Sequence, residues 1–345
     1  MDLQPGQLGN LVEDTGGFGA SPLSPYCRGV GFSPESDPRV LGVPKEVVDE
    51  AARTLGHARG SLQEFLGALP TTAQQGSFAA ADATWVVLSD RQFRSARRRL
   101  LRRAQVNAQL ALSNILNHVI AIERTLAGEP VLTWPSVSLS RIVHEGAVRT
   151  CRLFDPAASS EERIARIAAA WLDAARQQLT AAHDLDPRVV PESEQEWERA
   201  QRAARDAGLS IRYNDRRRPV AVVLGEVSVP FAVNVTDASR LTPGCPPAWY
   251  RISSAATHST MWLLQQGAAL NADGQPAILA DPEAISASTL IVLGSFEALT
   301  ETLGTYHGHD PSKAVATLQR RMAAVIQRQQ HWREQMQRDL RAWTG

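Results

Sequence analysis

Lysine is almost missing from this chain. Only Lys45 and Lys313 occur, and every other of the 36 basic residues is arginine. With alanine also abundant, this points to a high-GC coding bias, so an arginine cluster alone says little about function. Net charge is missing too: 36 basic residues stand against 36 acidic ones. That excludes a protein that coats nucleic acid by bulk charge, although it leaves room for a local basic patch. Cysteine is scarce. Cys27, Cys151 and Cys245 are far apart and odd in number, with no Cys-x-x-Cys pair, so neither a zinc ribbon nor a disulfide framework is expected. No run of 18 apolar residues occurs, so no membrane-spanning helix is expected. Residues 1–20 lack the basic and apolar stretches of a signal peptide. These absences predict a soluble cytoplasmic protein.

Several motifs are absent as well. There is no Gly-x-Gly-x-x-Gly after a strand, no Gly-x4-Gly-Lys-Ser/Thr, no Asp-Asp-x-x-Asp, no His-Glu-x-x-His, no Glu-x-x-His and no Gly-x-Ser-x-Gly. Dinucleotide oxidoreductases, P-loop NTPases, ionising terpene cyclases and di-iron bundles are disfavoured accordingly. No cofactor and no metal site is implied.

What is present is a globular composition, 43% hydrophobic and 21% charged over 345 residues. Residues 1–40 are rich in glycine and proline and read as a flexible leader. The rest, 41–345, reads as a single helical domain. Leu101, Ala104, Ala108, Leu112, Ile115, Val119, Ile122 and Leu126 recur at steps of three and four, the stripe of one long helix. Ser136 is the expected start of a second helix. Ser159 with Glu162, and Ser193 with Glu196, have capping-box spacing. Gly208 is placed to end a helix in the left-handed conformation. Val220–Leu224 and Val227–Val235 are β-branched runs around Gly225-Glu226, and predict a β-hairpin insertion at about 219–236 with Pro230 on an edge. Helices are then expected over 247–267, from Asp281-Pro282 to Gly304, and from Asp310-Pro311 to about Trp343. Residues 70–83 read as a connection. The fold class is all-α, a multi-helix bundle with a small β-hairpin insertion.

Five groups of residues could carry chemistry. Arg141, Glu145 and Arg149 share one helix face; they form either a solvated ladder or, if turned inward, a site for an anion. Tyr250, Ser254, His258 and Trp262 stand at i, i+4 spacing and form either core packing or one wall of a pocket. Arg251 and His258 have the Arg-x4-6-His spacing of HEPN-type ribonucleases, but Arg176 and His183 match it equally and chance supplies about as many pairs. Seven arginines fall in 91–103 (Arg91, Arg94, Arg97, Arg98, Arg99, Arg102, Arg103), and Arg216–Arg218 precede the insertion; a solvated surface competes here with a phosphate-contacting one. His307-Gly308-His309-Asp310 could ligate a metal, yet Asp310 is already explained as a helix cap before Pro311.

Two segments carry a resemblance. Residues 135–156, PSVSLSRIVHEGAVRTCRLFDP, followed by Glu162-Arg163 and Ala165-Arg166, resemble the run LARxxxEAAxRAxWLLDP…ERxAR of a set of all-helical actinobacterial proteins. Tyr250-Arg251-Ile252-Ser253-Ser254-Ala255-Ala256-Thr257-His258 resembles their second run, YRxLSGxAHG. The departures include Gly146 for alanine, Arg152 for tryptophan, Ser253 for leucine, and Ala255 and Ser259 for glycine. The resemblance spans about 100–270, and it implies HEPN-like helices. By position it places the polar signature on Arg141, Glu145, Arg149, Tyr250, Ser254 and His258. It predicts that the two helices meet around one internal pocket. There His258, Arg251 and Glu145 would be catalytic, and Arg141, Arg149, Tyr250 and Ser254 would bind the ligand. The partner would be RNA or a phosphorylated small molecule, with no membrane and with a homodimer left open. A non-catalytic helical module and a small-molecule biosynthetic enzyme with a bundle cavity are the alternatives.

Overall fold

The computed structural model describes residues 45–70, 72–128, 131–260, 268–270, 276–278 and 281–344. The leader at 1–40 and Trp262 lie outside the described residues. Ten helices are described: α1 (Lys45–Ala68), α2 (Phe78–Leu88), α3 (Arg91–Ala127), α4 (Thr133–Leu153), α5 (Ser160–Leu185), α6 (Val190–Asp206), α7 (Val235–Arg240), α8 (Pro247–Thr257), α9 (Pro282–His307) and α10 (Ser312–Thr344). Between α6 and α7 lie β1 (Ser210–Tyr213), β2 (Pro219–Leu224) and β3 (Val227–Pro230). Between α8 and α9 lie β4 (Ala268–Leu270) and β5 (Pro276–Ile278). The chain is an all-α bundle with a small β insertion.

The centre is α9. It packs against α4, α10 and α1 and buries Ile285, Val292, Phe296, Leu299 and Leu303. It is the one described helix long and apolar enough to cross a membrane, with a mean hydropathy of 1.2, and 67% of that stretch is buried inside the bundle. Its apolar character is what a helix covered on several sides requires. The α3 stripe faces α1 and α4 through Leu100, Ala104, Ile115, Val119, Ile122 and Leu126. β2 is the middle strand of an antiparallel sheet in the order β1-β2-β3 and packs with β3 on α5. Pro230 does lie on an edge strand, where its missing N–H costs no ladder bond.

Several local expectations are corrected. The connection at 70–83 contains the start of α2, capped by the Ser77 hydroxyl, which accepts from the Ala80 N–H. Ser136 does not open α4. The helix begins at Thr133, carries Pro135 in its first turn, and buries Ser136 with its hydroxyl donating to the Thr133 carbonyl. Ser193 does not open α6 either. Asp186 caps a short 3₁₀ turn instead, and α6 starts at Val190 with proline in its first turn. The hairpin gains a third strand, β1. Helix α9 runs on to His307, where Gly308 at φ 76° closes it. By contrast, Ser159 caps α5, Gly208 at φ 81° follows α6, and Asp281 and Asp310 accept from the backbone N–H groups two residues on.

Candidate functional site

Helix α8 ends earlier than its spacing suggests. Thr257 is its last residue and His258 is the C-cap. Ser259 follows at φ 50°, a left-handed conformation that favours glycine. His258 therefore sits on the helix end, where its ring is exposed, rather than on a continuous stripe.

Helices α4 and α8 do meet. Trp134 and Val137 of α4 interlock with Ile252, Ala255 and Ala256 of α8 in a small apolar cluster. One turn further along α4, Arg141 spans the two helices. Its Nη1 lies 3.0 Å from His258 Nε2, and its Nη2 donates to the Tyr250 hydroxyl at 3.1 Å. Its guanidinium carbon also stands 5.2 Å from the Tyr250 ring centre. A guanidinium has no acceptor, so His258 Nε2 must be the acceptor. That contact assigns the ring proton to Nδ1. Glu145 approaches Arg141 Nε at 4.0 Å, while its Oε1 accepts from both Nε and Nη2 of Arg149 at 3.1 and 2.8 Å.

Beside this network is an open depression of about 390 Å³ on α8, lined by Thr236, Tyr250, Arg251, Ser254, His258 and Thr260. Arg251 is exposed, and neither its guanidinium nor the Ser254 hydroxyl has a partner among the described residues. Of the residues singled out in the sequence, Tyr250, Arg251, Ser254 and His258 thus come together in one depression. Arg141 reaches it as a strut behind Tyr250 and His258. Glu145 and Arg149 do not line it. The expected internal pocket is in fact a surface site, because α8 ends at its rim and leaves His258 and Arg251 facing outward.

Behind the network lies His144, fully buried. Ser239 donates its hydroxyl to the Val235 carbonyl and so accepts from His144 Nε2 at 3.0 Å. His144 Nδ1 is left as a buried lone pair without a partner among the described residues. Burial pushes this imidazole down to about 4, opposed only in part by Glu145.

The arginine-rich start of α3 is partly structural. Arg97 is buried, 4.5 Å from the Trp85 ring centre, and donates to the Ala207 carbonyl at 3.0 Å. Arg103 stacks 3.7 Å from the Trp171 ring centre and pairs with Glu196 at 3.0 Å. Arg91, Arg94, Arg98, Arg99 and Arg102 are exposed. In the 307–310 loop, His309 packs edge-on to Phe65 and Asp310 bonds Ser312, so these groups serve local packing and capping.

The position of α8 depends on one glycine of α9. A Cβ on Gly294 would stand 2.3 Å from both the Gly244 carbonyl oxygen and the Trp249 ring. Gly294→Ala is expected to cost about 1–3 kcal/mol through overpacking. Because Trp249 is in the first turn of α8, the same change should displace the depression. Denaturant unfolding measures the first effect and ligand titration the second.

Compared with family models, with curated proteins and with solved structures, the chain gives no match.

Proposed function

We propose that the α8 depression recognises a phosphate group, on RNA or on a phosphorylated small molecule, and that the chain is a HEPN-like cytoplasmic protein. The observation that carries this reading is the pair of donors without partners among the described residues, Arg251 and Ser254, next to an exposed His258 ring that Arg141 holds at Nε2. An exposed guanidinium, a hydroxyl and an imidazole N–H suit the oxygens of a phosphate. Free, buried Cys151 and Cys245 accord with a reducing compartment.

Binding is favoured over cleavage by the same geometry. A general base needs a free lone pair. His258 Nε2 is engaged by Arg141, so RNA cleavage would require Arg141 to release it first. The second reading is a non-catalytic helical module, in which Arg141 only locks α4 to α8; the bridge across the two helices is what favours it.

Fluorescence anisotropy with a labelled single-stranded RNA, alongside adenosine 5′-monophosphate as competitor, separates these readings. The expected result is that Arg251→Gln weakens binding by about ten- to a hundredfold, the worth of a charge-assisted hydrogen bond. Its thermal unfolding should match that of the unaltered chain. If neither probe binds, or if Arg251→Gln binds as tightly, the helix-lock reading stands. A gel of the RNA after incubation with the unaltered chain and with His258→Ala reads out cleavage directly.

A further inference from the structure

A second cavity, of about 400 Å³, lies between the first half of α1, the first turns of α9 and the middle of α10. Its size is that of a small-molecule site. Val47 and Ala51 of α1, Ile285 of α9, and Val325 and Trp332 of α10 give it largely apolar walls. Ile285 is fully buried, so the floor belongs to the bundle core. Two arginines of α10 line it, and they differ. Arg328 is paired with Glu50. Arg321 is half-buried, and its one hydrogen bond to a described residue is Nη1 to the Ser61 hydroxyl at 3.3 Å. No carboxylate of the described residues pairs with Arg321. Burial and the neighbouring Arg320 both work against its charge, and no acid offsets them.

An apolar chamber with a half-buried cation that lacks a counter-ion has a defined complement. We propose that this cavity binds a small amphipathic carboxylate. Its hydrocarbon part would lie against Ile285, Val325 and Trp332, and its carboxylate would pair with Arg321. The cost of holding a guanidinium partly out of water would then be offset by the ligand. Glu50 stays committed to Arg328, and Glu46, the other carboxylate of the lining, is exposed to solvent in the first turn of α1, which leaves the half-buried Arg321 as the anion partner. This site is separate from the α8 depression, and its residues are not shared with it.

The probes are octanoate and octan-1-ol, which share a chain length and differ in charge, titrated calorimetrically into the full-length chain. Octanoate should bind saturably with one molecule per chain. Arg321→Gln should weaken octanoate by about tenfold or more, the loss of one charge-assisted contact, and leave octan-1-ol unchanged. Ala324→Trp, which fills the chamber, should weaken both; if circular dichroism shows that variant to be unfolded, Ser286→Leu replaces it. The proposal is overturned if octanoate shows no saturable binding in the millimolar range. It is equally overturned if Arg321→Gln binds octanoate as well as the unaltered chain, or if a folded cavity-filling variant still binds both probes.

Discussion

Asp82→Ala is expected to destabilise the folded chain by about 3–5 kcal/mol, the largest single-residue effect anticipated here. Asp82 on α2 and Arg163 on α5 are 1% and 2% exposed. The carboxylate accepts from Arg163 Nε at 2.9 Å and Nη2 at 2.6 Å, from the Ser160 hydroxyl at 2.6 Å and from the Tyr306 hydroxyl at 3.0 Å. Arg163 Nη1 donates to the carbonyls of Asp155 and Ala158. Every arm of the pair is satisfied, and three helices, α2, α5 and α9, are tied at one point. Burial beside Asp82 raises the Tyr306 phenol, which therefore stays a donor at any ordinary pH. Removing the carboxylate strands a buried guanidinium. Removing both charges does not, so Asp82→Ala with Arg163→Met should recover much of the loss. Urea unfolding of the single and double variants checks this. A double variant as unstable as the sum of the singles would show that the pair is not one unit.

Stability below neutral pH should hold two opposing terms that nearly cancel. His144 has its folded pKa depressed to about 4 by burial, well under the ordinary imidazole value. The unfolded chain takes up that proton first, so this stabilisation is present above about 6.5 and is lost as pH falls toward about 4. The difference is worth about 3 kcal/mol. Asp281 is the reverse. Burial at the start of α9 raises its carboxyl to about 6, against the hydrogen bonds it accepts from the α9 N-terminus. The folded chain takes up that proton first, so stability is gained as pH falls from about 6 toward about 4, again by about 3 kcal/mol. Relative to the unaltered chain, His144→Gln should therefore grow more stable across this window and Asp281→Asn less stable. Urea midpoints at pH 7, 5.5 and 4 give the comparison. Parallel curves for all three proteins would contradict it.

The parts of this fold that could be read from the sequence are those governed by local rules. The α3 stripe, the Ser159 cap, the prolines after Asp281 and Asp310 and the glycine after α6 each act within a few residues. That α4 and α8 meet was expected from the polar residues Arg141, Tyr250 and His258, and Arg141 contacts the other two where they do. The orientation of that meeting was not legible. Whether Arg141 or Arg251 faces the open side depends on how α8 rolls on α4, and that is set by Ile252, Ala255 and Ala256 and by Gly294 on a distant helix. Asp82 and Arg163 were missed because 81 residues separate them and Asp82 sits in an alanine-rich run, Ala79 to Thr84, with no pattern of its own. Helix α2 was missed for the same reason: its residues are apolar on most sides, so no stripe marks it. Arg97 and Arg103 were hidden in an arginine-rich stretch, and it is distant partners, Trp85 and the Ala207 carbonyl for the one and Trp171 and Glu196 for the other, that distinguish them from their exposed neighbours.

In the function proposed above, Arg141 holds His258 at Nε2 and the ring offers its Nδ1–H to a phosphate in the α8 depression. A long-range ¹H–¹⁵N spectrum of the histidine side chains, at pH 7.5 with and without adenosine 5′-monophosphate, tests it most directly. His258→Ala assigns the signal. An Nδ1–H tautomer is expected in the free chain, with a shift of that nitrogen on adding the nucleotide that Arg251→Gln abolishes. An Nε2–H tautomer in the free chain, or a His258 signal indifferent to the nucleotide, would contradict it.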